Sequence, residues 1–179
     1  GPLEPTNEGY ALAKIAGLKL CQYLNESQGL PFISAMPTNM YGPYDNFHPE
    51  KSHVIPGMIV KFHRAKVAGA PFVELWGTGT PRREFLHSDD LARALVHLMD
   101  CYNGASTINV GCGEDVTVKE LANIVAEAVG FKGELRFNPQ YPDGTPRKLL
   151  DVSKIKSLGW SPKIDLKSGI KESYQWAVD

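Results

Sequence analysis

The chain has 179 residues, enough for a sizeable core, and its 42% hydrophobic and 22% charged content is ordinary for a soluble globular protein. A net charge of −1 excludes global electrostatic attraction to nucleic acid or to an anionic membrane. Cys21, Cys101 and Cys112 are too widely spaced for a disulfide framework or a zinc cluster, and no long apolar run or signal-peptide pattern occurs, so a reducing, cytoplasmic setting is expected.

The opening GPLEPTNE is a polar, proline-containing loop that leads straight into a helix expected from Tyr10 to about Glu26. Ala16, Leu20, Tyr23 and Leu24 share one face of it, and Gly29 is a stop signal. Tyr10 and Lys14, four apart, also share a face. An ammonium beside a phenol favours the phenolate, so this pair can deliver a proton near neutral pH. Chance alone produces the Tyr-x-x-x-Lys spacing about 0.5 times in such a composition, so by itself it leaves both a catalytic pair and a plain shared helix open.

Next, LPFISAMPTNMYGP has the pattern of a short buried strand ending in a Pro/Gly-rich turn. Pro37 to Gly42 then either faces a ligand beyond the carboxyl end of that strand or is a plain turn. His53 follows in a polar loop, where it can exchange a proton near neutral pH or simply cap the helix after it. Pro56 suits the first turn of that helix, which carries Met58, Ile59 and Phe62.

FVELWGTGTPRR is a strand running into a Gly/Thr turn, and EFLH is a second extended piece. Trp76 offers a stacking face, while Arg82 and Arg83 offer forked donors, a set that suits a nucleotide; a solvated arginine pair on a turn is the alternative. Ser88, Asp89 and Asp90 supply an N-cap and negative charge for the helix LARALVHLMD, in which His97 is expected to be structural. STINVGCG is a strand, and Thr117 to Glu120 is a capping box for a helix that closes at Gly130. GELRFNP is a further strand. In PDGTPRKLLD, Asp143 can accept from a hydroxyl while Arg147 and Lys148 can bind phosphate, or the segment is an exposed turn and short strand. A short helix and a final helix complete an alternation that predicts an α/β fold. The remaining histidines lack metal-ligand spacing, and no Gly-x-Ser-x-Gly elbow, Walker loop or Gly-rich dinucleotide loop is present.

Taken together, YALAKIAGLKLC, MPTNMYGPYDNFHPEKSHVIP, WGTGTPRREFLHSDDLA, INVGCGEDVTVKELA and PDGTPRKLLD resemble the GDP-L-fucose synthases of the extended short-chain dehydrogenase/reductase family. The resemblance runs from about Leu3 to Trp176, and DNFHP, SHVIP and DGTPRKLLD separate it from generic nucleotide-sugar epimerases and dehydratases. It implies the C-terminal part of an NAD(P)-binding Rossmann domain over residues 1–50 and mainly a smaller α/β nucleotide-sugar domain over 51–179, some of whose segments return to the Rossmann part. The implied reaction epimerises C3 and C5 of GDP-4-keto-6-deoxy-D-mannose and reduces C4 with NADPH.

Residue by residue, the resemblance makes Tyr10 the acid at the C4 oxygen and Lys14 its ribose-binding partner. Pro37, Thr38, Asn39 and Met40 line the nicotinamide side of the cofactor site, and His53 is the acid/base of epimerisation that also borders the cofactor. Lys61, Trp76, Arg83 and Asp143 hold the GDP-sugar, with Lys148 a further candidate. Lys61 stands where the family often has Arg, so it keeps the charge but not the fork. The family's Gly-rich loop, and the Ser and Cys that partner Tyr10 and His53, have no counterpart in this sequence. The expectation is therefore a C-terminal portion with little turnover alone. It should form a homodimer or larger assembly through Ala11 to Leu24, because a truncated sheet exposes an edge and apolar helix faces. Another nucleotide-sugar epimerase or dehydratase, or a non-catalytic nucleotide-sugar-binding module, are the alternatives.

Overall fold

In the computed structural model, which describes residues 2–179, a single 3-10 turn over Pro5–Asn7 runs directly into α1 (Glu8–Gln28). Gly29 ends α1 in the left-handed region (φ 65°), a conformation open to glycine at no steric cost, and its N–H donates to the Asn25 carbonyl. The inward stripe differs from the one expected. Leu24 is half-buried, but Ala16, Leu20 and Tyr23 are exposed, and the other half-buried positions are Ala11, Leu18, Cys21, Gln22 and Asn25. The helix is apolar on more than one side, and periodicity alone does not say which side finds cover.

The single buried strand expected after Gly29 is two short strands, β1 (Ala35–Pro37), largely exposed, and β2 (Asn39–Tyr41), which runs from exposed Asn39 to buried Tyr41. They part at Thr38, where the chain changes partners. β1 pairs in parallel with β6 (Ile108–Val110), and β2 pairs in parallel with β5 (Phe85–His87). The Thr38 N–H still reaches the Val110 carbonyl at 3.0 Å, while its hydroxyl donates to the Glu84 carbonyl at 3.2 Å.

Two apolar clusters form the core. In one, α2 (Val54–Val67) buries Ile55, Met58, Ile59 and Phe62 against β3 (Phe72–Trp76), which alternates Val73 and Leu75 inward as a half-buried strand must. β8 (Glu134–Asn138) pairs in parallel with β3. α4 (Val118–Val129) contributes Leu121, Val125 and Val129 to this cluster, and α6 (Leu166–Val178) contributes Ile170. The expected capping box is formed: Thr117 Oγ1 accepts from Glu120 N and the Glu120 carboxylate accepts from Thr117 N.

The second cluster gathers Leu86, Ile108 and Val110 with Ala94 and Leu98 of α3 (Ser88–Cys101) and with Ile155 of α5 (Ser153–Ser157). The N-cap of α3 is His87 rather than Ser88. Its Nδ1 accepts from Asp89 N at 3.3 Å, and Asp89 and Asp90 occupy the first turn as expected. Arg82 and Arg83 lie on a strand, β4, rather than a turn. It is flanked by β7 (Val116–Thr117), antiparallel, and β9 (Arg147–Lys148), parallel. No helix among the described residues is long and apolar enough to cross a membrane.

Candidate active site

A cleft of about 750 Å³ opens where β1, β2, α2, β4 and β9 converge. Tyr10, Pro37, Thr38, Asn39, Met40, His53, Arg83 and Lys148, all expected at the site from sequence, line it together. Tyr44, Asp45 and Ser88, which sequence reasoning did not single out, share the wall.

At one end, Tyr10 stands on the first turn of α1 and is 62% exposed. Lys14, one turn on, places its ammonium over the Tyr10 ring, 5.5 Å from the centroid. Beside them the Thr38 hydroxyl and the Asn39 amide are tethered to one acceptor, the Glu84 carbonyl, at 3.2 and 2.8 Å. A phenol, an ammonium and this pinned Pro37–Met40 segment form a donor set that suits the ribose and amide of a nicotinamide. The described residues thus fit that half of a dinucleotide.

His53 occupies the N-cap position of α2, yet its side chain makes no capping hydrogen bond; its backbone carbonyl alone accepts, from Gly57 N at 2.9 Å. The imidazole is exposed and lines the cleft. Tyr41, by contrast, is 2% exposed, and burial, then the Asp165 and Asp90 carboxylates, push its phenol upward, so it remains a neutral wall.

At the other end, strand alternation sorts the basic residues. β4 and β9 pair Arg82 with Arg147 and Arg83 with Lys148. Successive side chains point to opposite faces, and Arg82 and Arg147 both bind Asp115. Arg83 and Lys148 are left to the cleft. The guanidiniums of Arg147 and Arg82 hold the Asp115 carboxyl well below its ordinary range, so it stays ionised.

A shelf extends from Arg83. A Cβ on Gly144 would sit 4.0 Å from Arg83 Nη2, which puts the 143–144 turn beside the guanidinium. Asp143 accepts from Thr78 N and Thr78 Oγ1, both at 2.7 Å. Its Oδ1 lies 2.2 Å from where a Cβ on Gly77 would stand, so that glycine permits the close approach. Next to Gly77, Trp76 is 66% exposed and stacked on Tyr141 (4.6 Å between centroids, 14° between planes). Trp76 and Asp143 therefore lie on the shelf outside the cleft lining. Lys61 is exposed on α2, seven residues after Val54 and so about 10 Å along the same helix face; it does not line the cleft.

Sequence reasoning passed over Glu84, whose side chain is fully buried. Its Oε1 accepts from Gly113 N at 2.7 Å and its Oε2 from Leu150 N at 3.0 Å. A signal existed in the sequence: a lone carboxylate sits between two arginines and an apolar strand, with the paired glycines of Val-Gly-Cys-Gly downstream. Cys112, in that same turn, is half-buried, and burial pushes its thiol up, with the Glu84 charge adding to the effect.

Comparison with known proteins agrees with the resemblance carried by the motifs. The NAD dependent epimerase/dehydratase family matches residues 1–111. Over all 179 residues the chain is 59% identical to Probable GDP-L-fucose synthase 1 of Oryza sativa subsp. japonica, covering 55% of that protein. It is 51% identical to the GDP-L-fucose synthase of Escherichia coli (strain K12), with 100% of this chain and 59% of the relative aligned. Among solved structures, a GDP-L-fucose synthetase from Naegleria fowleri bound to NADP superposes with a TM-score of 0.90 at 31% identity, over 99% of this chain and 58% of that one. The chain spans about half the length of the relatives it matches, and its α/β fold is that of Rossmann-type epimerases and reductases. Its motifs, its cleft and the family match over most of its length lead to one conclusion: the chain belongs to the NAD dependent epimerase/dehydratase family.

Proposed function

We propose that this chain carries the catalytic pair and the nucleotide-sugar site of an NADP-dependent GDP-4-keto-6-deoxy-D-mannose 3,5-epimerase-4-reductase, which makes GDP-L-fucose. The observation that carries the reading is the shared cleft: a phenol from α1, an imidazole from the N-cap of α2 and basic side chains from β4 and β9 converge on one cavity. The relatives' names supply the substrate class.

In this reading the segment through β2 belongs to a cofactor domain, while α2, β3, β8, α4 and α6 build the substrate domain. The bound NADPH supplies a hydride to C4 of the sugar. Tyr10 holds the proton that the C4 oxygen takes up, and the Lys14 ammonium favours the phenolate left behind. His53 removes and returns protons at C3 and C5, where the adjacent ketone makes the carbon acidic. Arg83 and Lys148 hold the diphosphate, Arg83 through its fork. Trp76 and Asp143 on the shelf, with Lys61, hold the remainder of the GDP-sugar. Self-association into a dimer through α1 follows from the exposure of Leu12 (53%), Ile15 (45%), Leu20 (58%) and Tyr23 (61%) along it. Three free cysteines accord with a reducing, cytoplasmic location.

The test uses the chain alone and the chain completed to the length of its relatives, with NADPH and GDP-4-keto-6-deoxy-D-mannose. Tyr10→Phe should abolish NADPH oxidation while deuterium still enters C3 and C5 from solvent; His53→Asn should abolish that exchange. A completed protein indifferent to both changes would be a binding module. Turnover of UDP- or dTDP-keto-sugars in preference to the GDP-sugar would place it among other epimerases.

A further inference from the structure

Glu84 is a fully buried carboxylate that belongs to none of the ion pairs found among the described residues. Burying a charge without a counter-ion is costly, and such groups persist where other donors satisfy them. Here the donors are two backbone N–H groups from segments far apart in sequence: Gly113, in the turn after β6, and Leu150, just past β9. The backbone of Glu84 reaches two further segments. Its N–H donates to the Lys148 carbonyl at 3.3 Å, and its carbonyl accepts from both Thr38 and Asn39.

The two ends of the cleft therefore meet at one residue. Thr38 and Asn39 form the wall beside Tyr10, and Arg83 and Lys148 form the basic end. Gly111 shows how tightly the carboxylate is seated: a Cβ there would fall 2.3 Å from Glu84 Oε1. We propose that Glu84 is a positioning residue that fixes the register between the polar wall at Thr38–Asn39 and the phosphate-binding pair Arg83–Lys148. It acts through Arg83 and touches no substrate. This rests on the nucleotide-sugar reading of the cleft and adds to it the residue that sets the spacing of its two ends.

The experiment is a double-mutant cycle on the full chain with GDP as the probe. Affinity is measured by calorimetry for wild type, Glu84→Gln, Arg83→Ala and the double variant, at a temperature where circular dichroism shows each to be folded. Glu84→Gln should weaken GDP binding by roughly tenfold or more. The double variant should bind no more than a few-fold worse than Arg83→Ala alone, because only the single charge of Lys148 is then left to position. Should Glu84→Gln not fold, Gly111→Ala takes its place in the cycle, displacing the carboxylate while keeping its charge. Wild-type affinity in the Glu84→Gln chain, or losses that multiply fully in the double variant, overturns the inference and leaves the site reading intact. A wild-type chain that binds neither GDP nor inorganic pyrophosphate overturns both.

Discussion

Asp115 holds Arg82 by one carboxylate oxygen, at 2.7 Å from Arg82 Nε, and turns its other oxygen to Arg147. With Glu120 also 3.8 Å from Arg82, this contact leaves both guanidiniums on one face of the β4–β9 pair matched by carboxylates, while the other face stays basic. Asp115→Asn should lower the melting temperature, since two guanidiniums lose their shared acceptor. The difference is pH-dependent with a defined sign. The folded-state pKa of Asp115 lies below its unfolded value of about 3.9, so its contribution is complete above that value and is lost as pH falls through the folded one. Thermal melts from about pH 7 to about pH 3 should show the wild-type advantage over Asp115→Asn narrowing below about pH 4. A gap that stays constant into acid would show that the pair contributes by shape alone.

Arg83 and its neighbour Arg82 differ by one position and should differ sharply in function. Arg83→Ala removes a charge-assisted donor from the cleft, a contact type worth about 1.5–3 kcal/mol, so GDP affinity should fall by roughly ten- to a hundredfold. Arg83→Lys should fall between, because an ammonium keeps the charge but not the fork. Titration calorimetry with GDP reads both. Equal affinities for Arg83→Ala and wild type would remove Arg83 from the diphosphate role.

That distinction marks how far the sequence could be read. Elements with local determinants were legible: α4 announces its start with Thr117 and Glu120 and its end with Gly130, and α2 announces its core face through Ile59 and Phe62. What the sequence hid depends on partners distant along the chain. Nothing near Thr38 shows that the strand changes neighbours there, from β6 to β5. Arg82 and Arg83 look equivalent until β9 supplies the register and Asp115 claims one of them. Glu84 escaped notice because its role consists of bonds to Gly113 and Leu150. Of the residues that the motifs single out, Tyr10, Pro37 to Met40, His53, Arg83 and Lys148 share the cleft lining, whereas Lys14, Lys61, Trp76 and Asp143 fall outside it.

His53 allows function to be separated from capping. An N-cap side chain that bonds the first turn contributes about 1 kcal/mol, but His53 makes no such bond. His53→Ala should therefore change stability by no more than about 0.5 kcal/mol, while Thr117→Ala, which breaks a formed capping box, should cost about 1 kcal/mol. Urea unfolding of the two variants side by side makes the comparison. A cost for His53→Ala that equals that of Thr117→Ala would return the residue to a structural role.

The exposed stripe of α1 makes a claim about assembly. Leu12→Glu puts a charge beside Ile15 and in line with Tyr23, on the side of α1 whose i+3, i+4 and i+7 neighbours are all exposed. Light scattering across a concentration series should show wild type associating and Leu12→Glu shifted toward monomer. Thermal stability at low concentration should be unchanged. A monomeric wild type at high concentration would mean that the stripe has some other occupant or none.

Two glycines on helices should respond to alanine in opposite directions. Gly17 lies inside α1 with nothing within 4 Å of a built Cβ, so alanine there only restrains the unfolded chain. Gly17→Ala should stabilise by about 0.5–1 kcal/mol. Gly169, on α6, meets the Tyr41 hydroxyl at 2.4 Å and the His87 ring at 3.0 Å from the same built position. Tyr41 and His87 are both buried, with their rings edge-on at 5.4 Å, so neither can swing aside cheaply. Gly169→Ala should destabilise by about 1–3 kcal/mol. Because Tyr41 also lines the cleft, the cost should extend to ligand binding, with GDP affinity falling in Gly169→Ala and unchanged in Gly17→Ala. If both variants melt and bind alike, the Tyr41 wall yields to α6 more readily than its burial implies.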